Sequence, residues 1–286
     1  MIDRRNGLLF IAVAALLWST GGIGIKGIVD SPLKVTFYRS LFAAVTLFLL
    51  FGRNVWGVRQ WKSTPMFVTA VLCYGACLTT FVTATKWTTA ANAIFIQYAG
   101  VVWVLLLSPF ILREPLRGKT ATAVAFAFGG MALFFVGRFE ARGMAGNLMA
   151  LLSSVFFGML IMALRKENEA SRSAVTWGNV VTAAAMFPFV AGDLSLTPRS
   201  FFALLFLGVF QIGLAYAFFV RGLKYVTATE ASLMGMLEPI ANPIWVLLFL
   251  GEIPSRWAIA GAGIVLAAIA WHTLVAEPAT DMPPPD

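Results

Sequence analysis

Charged side chains are missing from long runs of this chain. Residues 7–25, 63–85, 87–112, 120–137, 143–164, 173–192, 200–220 and 257–276 carry no Asp, Glu, Lys or Arg. A helix that crosses a bilayer needs about 20 apolar residues, with about 17 as a working minimum, and every one of these runs is long enough. Two more spans follow where isolated charges interrupt an apolar run: 34–52 with Arg39, and 226–250 with Glu230 and Glu238. The pattern predicts an all-α integral membrane protein of ten transmembrane helices.

The pattern also repeats. Phe81, Val82, Lys86, Thr89, Ala90 and Ala93 recur 138 residues later as Phe219, Val220, Lys224, Thr227, Ala228 and Ala231. Gly75 and Gly213, Leu112 and Leu250, and Glu114 and Glu252 keep the same spacing. Ten spans in two copies leave five per copy, and an odd number of crossings returns the second copy upside down. Inverted repeats supply two half-structures of similar energy that can exchange inward- and outward-open shapes around a central site. The expected division is 1–139 for the first five-helix repeat and 140–286 for the second, inverted one with its short polar tail. The predicted activity is transport by alternating access.

Composition agrees with this reading: 59% of residues are hydrophobic and 12% charged, with a mean hydropathy of +0.84. A formal charge of +8 could suggest nucleic acid, but its placement points elsewhere. With ten spans, 13 of the 21 Lys and Arg residues fall on the N-terminal side of the membrane and 7 on the other, with Arg39 inside a helix. Cytoplasmic loops hold such an excess, so both termini are expected in the cytoplasm and no nucleic-acid partner is expected. Arg4-Arg5 before an apolar run resembles a signal peptide; with no small-x-small cleavage site ahead of a soluble domain, it reads as an uncleaved first span. The proline-rich end, 277–286, reads as disordered.

Candidate chemistry concentrates in the ninth span. Glu238-Pro239-Ile240-Ala241-Asn242-Pro243 puts an acid and two prolines at its centre, and each proline leaves a carbonyl without its helical donor. Irregular backbone at mid-depth is tolerated where it lines a cavity. Glu230, Met234, Glu238 and Asn242 share a spacing of four and hence a stripe. Inserting a carboxylate there costs about 2.5–3.5 kcal/mol. Glu238 therefore either binds a substrate amino group or a proton, or bridges to backbone donors at nearby helix ends; Glu230, nearer the membrane face, reads as structural. Trp18, Tyr74, Phe95, Tyr98, Phe157 and Gln211 also fall near mid-depth. Aromatic walls with few polar groups suit an apolar or aromatic solute. Arg39 is expected to snorkel outward or bond carbonyls of adjacent helices, with contact to substrate as the alternative. Lys86 and Lys224 are expected to anchor helix ends, with gating of access as the alternative. Cys73 and Cys77 lack His or acidic partners for a metal, and Gly22-x-Gly24-x-x-Gly27 opens no βαβ unit. No catalytic constellation, metal or cofactor is expected, so the chain does not read as an enzyme.

Trp18-Ser19-Thr20-Gly21-Gly22, then Phe37-Tyr38-Arg39, then Lys224-Tyr225 through Glu238-Pro239 and Glu252, resemble the EamA branch of the drug/metabolite transporter superfamily over essentially the whole chain. The resemblance implies a ten-helix fold of inverted five-helix repeats that exports small metabolites. Among its members the chain looks most like the YddG-type exporters of aromatic and other amino acids. The first copy shows Gly100-Val101 where the second has Glu238-Pro239, so the halves cannot supply equivalent polar groups. The expectation is an inner-membrane amino-acid exporter whose partners are its substrate and the lipid bilayer. A monomer is compatible with everything above, and export of drugs or other metabolites is the rival reading.

Overall fold

The computed structural model describes residues 4–55, 65–133, 143–250 and 255–275. Every regular element among them is helical: α1 (Arg4–Trp18), α2 (Gly21–Lys26), α3 (Pro32–Phe51), α4 (Pro65–Trp87), α5 (Ala90–Gln97), α6 (Gly100–Ile111) and α7 (Gly118–Leu133) in the first half. The second half holds α8 (Met144–Glu167), α9 (Ser171–Val190), α10 (Pro198–Phe206), a π-helical segment (Leu207–Leu214), α11 (Ala215–Leu223), α12 (Ala228–Gly235), α13 (Leu237–Leu250) and α14 (Arg256–Val275). Glu252 and the 277–286 tail lie outside the described residues.

Seven helical stretches are long and apolar enough to cross a membrane, one of them the 47-residue run Met144–Val190 that contains both α8 and α9. The predicted spans 120–137 and 226–250 are helical over Gly118–Leu133 and Ala228–Leu250. Among the described residues, neither is counted with those seven. The protein is apolar outside and polar within. Leu49, Phe110, Phe189 and Leu274 are more than two-thirds exposed, while Arg39, Asn179, Gln211 and Glu238 are buried. A bilayer inverts the usual rule because lipid has no hydrogen bonds to offer and helices satisfy their own backbone.

Helices pack on their counterparts. α3 lies on α9 and α7 on α14. Phe37 meets Phe187 while Phe48 meets Trp177, so α3 and α9 run antiparallel. Thr120 bonds His272 while Gly130 abuts Gly261 and Ile264, so α7 and α14 do too. α4 of the first half packs on α8 of the second, and α11 of the second on α1 of the first.

The repeated threonines have a structural job. Thr89 caps α5 by accepting from the Asn92 N–H, and Thr227 caps α12 by accepting from the Glu230 N–H. A capping side chain satisfies one of the four donors that a helix start leaves open. Glu230 closes the second bond of a capping box through the Thr227 N–H and pairs with Arg4 at 2.7 Å, so its role is structural. Lys86 donates to the Ile28 carbonyl, and Lys224 pairs with Glu169 at 2.5 Å; both tie down helix ends. Cys77 is buried beside Ser153 and Gln97, and both thiols are free.

At one end of α3, Lys34 reaches Asp30 at 3.3 Å and Asp193 at 2.9 Å. The Ser195 hydroxyl and the Lys34 ammonium, with the Ser195 N–H, hold the exposed Asp193 carboxyl down to about 2, from its ordinary 3.8. A depressed carboxyl contributes stability above its unfolded value and loses it as pH falls through the folded one. The Asp193 tie is therefore fully present above about pH 4 and vanishes towards pH 2. Thermal melts of Asp193→Asn should match wild type at low pH and fall slightly below it near neutrality.

Candidate functional site

Three helices are interrupted at the middle of the molecule. α1 gives way to α2 between Trp18 and Gly21, α5 to α6 at Tyr98-Ala99, and α12 to α13 at Met236. Tyr98 and Met236 stand at the same 138-residue spacing as the sequence repeat. The break therefore belongs to both copies, although only the second has Pro239. Proline is not its sole cause.

Pro239 nevertheless has a visible consequence. Lacking an N–H, it leaves the Gly235 carbonyl without the donor an α-helix would supply. The Tyr98 hydroxyl sits 2.6 Å from that oxygen and 2.9 Å from Glu238 Oε2. A phenol has one hydrogen to give. The Gly235 carbonyl and Glu238 Oε2 therefore share it as acceptors. The break also splits the expected stripe. Glu230 lies with Arg4, Met234 is buried just before the break, and Asn242 abuts the backbone of α2, where a Cβ on Gly22 would come within 2.8 Å of its amide.

The π segment positions the next group. Its i→i+5 turns place Gln211 and Tyr216 on neighbouring surface, where an α-helix would turn them apart. Gly208 and Gly213 let it settle on α3, since a Cβ at either would come within 2.8 Å of Phe42 or Thr46. Gln211 is then held at both ends. Its Oε1 accepts from Arg39 Nη2 at 2.6 Å, and its Nε2 donates to the Trp18 carbonyl, freed by the break in the first helix, at 3.3 Å. Arg39 is 2% exposed. It neither snorkels nor bonds a backbone carbonyl, as the sequence had suggested; α9 and the π segment pack along α3 and close off its route to the membrane face.

Five rings run in a chain from Tyr74 to Tyr98, the last beside Glu238. Tyr74 meets Tyr216 at 4.8 Å, Tyr216 meets Trp18 at 5.1 Å, Trp18 meets Phe157 at 6.3 Å and Phe157 meets Tyr98 at 6.2 Å. The outer hydroxyls are held: Tyr74 accepts from Asn179 Nδ2 at 2.8 Å, and Tyr98 touches Glu238. Gly178 permits the first of these, because a Cβ there would lie 2.8 Å from the Tyr74 ring. Seven of the eight residues singled out from the sequence are buried in this region of the molecule, namely Trp18, Tyr74, Tyr98, Phe157, Gln211, Met234 and Glu238. Phe95 is different. It is half-buried and meets the Phe128 ring of α7 at 5.8 Å.

Sequence reasoning missed Tyr216 and Asn179 and misread Arg39. The signal for Tyr216 was its five-residue distance from Gln211, which says nothing unless the local helix is π. Asn179 stood among Ser173, Thr176 and Thr182 in an uncharged run, with nothing to set it apart. Among the described residues no group of His, Cys, Asp and Glu is arranged to hold a metal ion.

The comparisons fit this architecture. A Bacillus subtilis (strain 168) protein named Uncharacterized transporter YwfM is 27% identical over 94% of each chain. A Fusobacterium nucleatum protein named Riboflavin transporter ImpX is 23% identical over 94% of this chain and 98% of its own. Solute carrier family 35 member G1 of Homo sapiens is 22% identical over 92% of this chain. A solved crystal structure superposes with a TM-score of 0.81, covering 96% of this chain and 98% of the other at 19% identity, which establishes the fold. The EamA-like transporter family matches residues 5–136 and again 144–274. Two consecutive matches, joined to a helical, lipid-facing exterior, make this chain a multi-pass membrane transporter of the EamA-like transporter family.

Proposed function

We propose that the protein exports amino acids, aromatic ones included, across the cytoplasmic membrane by alternating access. The observation that carries this reading is the five-ring chain ending on a buried carboxyl, Glu238, with a buried guanidinium, Arg39, nearby. Ring faces suit an aromatic side chain, and few but placed polar groups fix a ligand's orientation. The acid suits an ammonium, which burial makes a strong partner once water is excluded. Trp18, Tyr74, Tyr98, Phe157, Met234 and Glu238 are the proposed contacts, with Gln211 behind Arg39 and Phe95 on the outer flank.

The supporting architecture is ten spans in two inverted five-helix repeats, divided as 1–139 and 140–286. The antiparallel packing of α3 on α9 and of α7 on α14, each pair at the repeat spacing, supports inversion. So does the mutual pairing of α4 with α8 and α11 with α1. The excess of Lys and Arg on one side supports cytoplasmic termini in the inner membrane. Nothing in the chemistry of the site calls for a cofactor or an enzyme's nucleophile.

Proteoliposomes containing the purified protein should take up labelled tryptophan or phenylalanine saturably, with unlabelled amino acids competing. No saturable flux for any amino acid overturns the substrate reading. A second reading has one specific motive, since the Fusobacterium nucleatum relative is named a riboflavin transporter and a flavin is also a planar aromatic solute. Riboflavin in the same competition panel separates the two.

A further inference from the structure

We propose that Arg39 binds the carboxylate of the transported substrate, held in position by Gln211; this rests on the amino-acid reading above. The argument starts from an unmet need. A guanidinium carries five donors and stays charged in any protein, and burying it without a counter-ion is expensive. Yet the ion pairs among the described residues are Arg4–Glu230, Lys34–Asp30, Lys34–Asp193, Arg165–Glu114 and Lys224–Glu169, and Arg39 is in none of them. Its one recorded bond goes to the neutral Gln211 amide, and its Nε is buried without a partner. Among the described residues, the arginines set over rings are Arg172 on Phe51 and Arg221 on Phe10, and Arg39 is not one of them.

The groups around it indicate what is missing. The ionisable side chains that act on Arg39 electrostatically are Tyr74, Tyr216, Glu238 and Cys77, all buried. Three of them are the carboxyl and two rings of the proposed site. Glu238 acts on Arg39 without being one of its ion-pair partners among the described residues. A cation and an acid held apart in this way match the two ends of a zwitterion, with the ammonium at Glu238 and the carboxylate at Arg39. A planar fork with a free Nε edge also matches a carboxylate's two oxygens.

Gln211 is a positioning residue in this arrangement. Both ends of its amide are engaged, by Arg39 and by the Trp18 carbonyl, so it fixes the guanidinium without itself being open to substrate. The close approach of Gly21, whose Cβ would fall 2.7 Å from Gln211 Nε2, leaves that amide little room to turn. The first-helix break, the π segment and α3 thus converge to present one charge.

The test compares tryptophan, tryptophanamide and tryptamine as inhibitors of labelled tryptophan uptake in proteoliposomes. All three keep the ring and the ammonium; only tryptophan has the carboxylate. In wild type, half-inhibition by either analogue should need at least about tenfold more ligand than by tryptophan. In Arg39→Gln that ratio should fall towards one, while Arg39→Lys keeps part of it. Gln211→Ala should weaken tryptophan more than tryptophanamide. Wild-type flux with equal inhibition by all three overturns the subsite whether or not a variant folds, and so does an Arg39→Gln protein that folds and still discriminates. If wild type carries no amino acid at all, the functional reading fails and takes the subsite with it.

Discussion

Glu238→Gln should lower amino-acid flux about 10- to 100-fold while leaving the melting temperature close to wild type. The fold survives because the glutamine amide is nearly isosteric and its oxygen can still accept from the Tyr98 hydroxyl, as Glu238 Oε2 does at 2.9 Å. Flux falls because a permanently neutral side chain cannot pair with an ammonium, and a hydrogen bond to a charged group is worth about 1.5–3 kcal/mol. The pH response separates this from a packing defect. In wild type the carboxyl must release its hydrogen before it can hold an ammonium, so flux measured at equal pH on both sides should rise with pH. In Glu238→Gln it should be flat. A variant with wild-type rate and wild-type pH profile would falsify any role for Glu238 beyond structure. Tyr98→Phe provides the complementary result. It leaves the Gly235 carbonyl buried and unmet, which costs about 1–3 kcal/mol, so it should destabilise where Glu238→Gln does not.

Glu114→Ala should be the most destabilising single change outside the central site, by about 3–5 kcal/mol in detergent. Glu114 lies between α6 and α7. One carboxylate oxygen accepts from Arg165 Nε of α8 at 3.0 Å, and the other accepts from the Ala228 N–H at the start of α12, at 2.9 Å. Three segments from both halves meet on this one side chain. Burial pushes its titration above the ordinary carboxylate range, against the opposing pull of Arg165 and the Ala228 N–H. The pair is therefore not strongly stabilising in net terms, but removing one member withdraws a partner from the other. The part-buried Arg165 would lose this carboxylate and a helix N-terminus would lose its acceptor. The double replacement Glu114→Leu with Arg165→Met should recover part of the loss, because removing both charges also removes both desolvation penalties. If the double variant is as unstable as the single one, the Arg165 charge is not the cause.

The repeat in the sequence was a better guide to the backbone than to the site. Thr89 and Thr227 matched because both cap a helix after a short turn, and a cap is a local bond between residues three apart. Lys86 and Lys224 matched because each secures the end of the preceding helix. Prolines in the ninth span foretold irregular backbone, but the equivalent break at Tyr98-Ala99 has no proline at its centre and was invisible as a local signal. The site shows the opposite balance. Apart from Phe95, the residues chosen for depth alone came out buried in one region, because depth follows from position along a span. Which faced which did not follow. Arg39 seemed close enough to a span's end to snorkel, and only the packing of α9 and the π segment along α3 turns it inward.

What the chain by itself determined is therefore whatever depends on neighbours a few residues away: where helices start, how long they run, which are apolar enough for lipid, and that one half copies the other. Hydrophobic length and capping are properties of a segment, so they can be read without knowing its surroundings. The tertiary structure alone decided that Gln211 grips Arg39, that Tyr98 serves both Gly235 and Glu238, and that five rings from five helices touch in sequence. Each of those depends on the separation and rotation of helices far apart in the chain, and a single π segment shifts the register of everything after it.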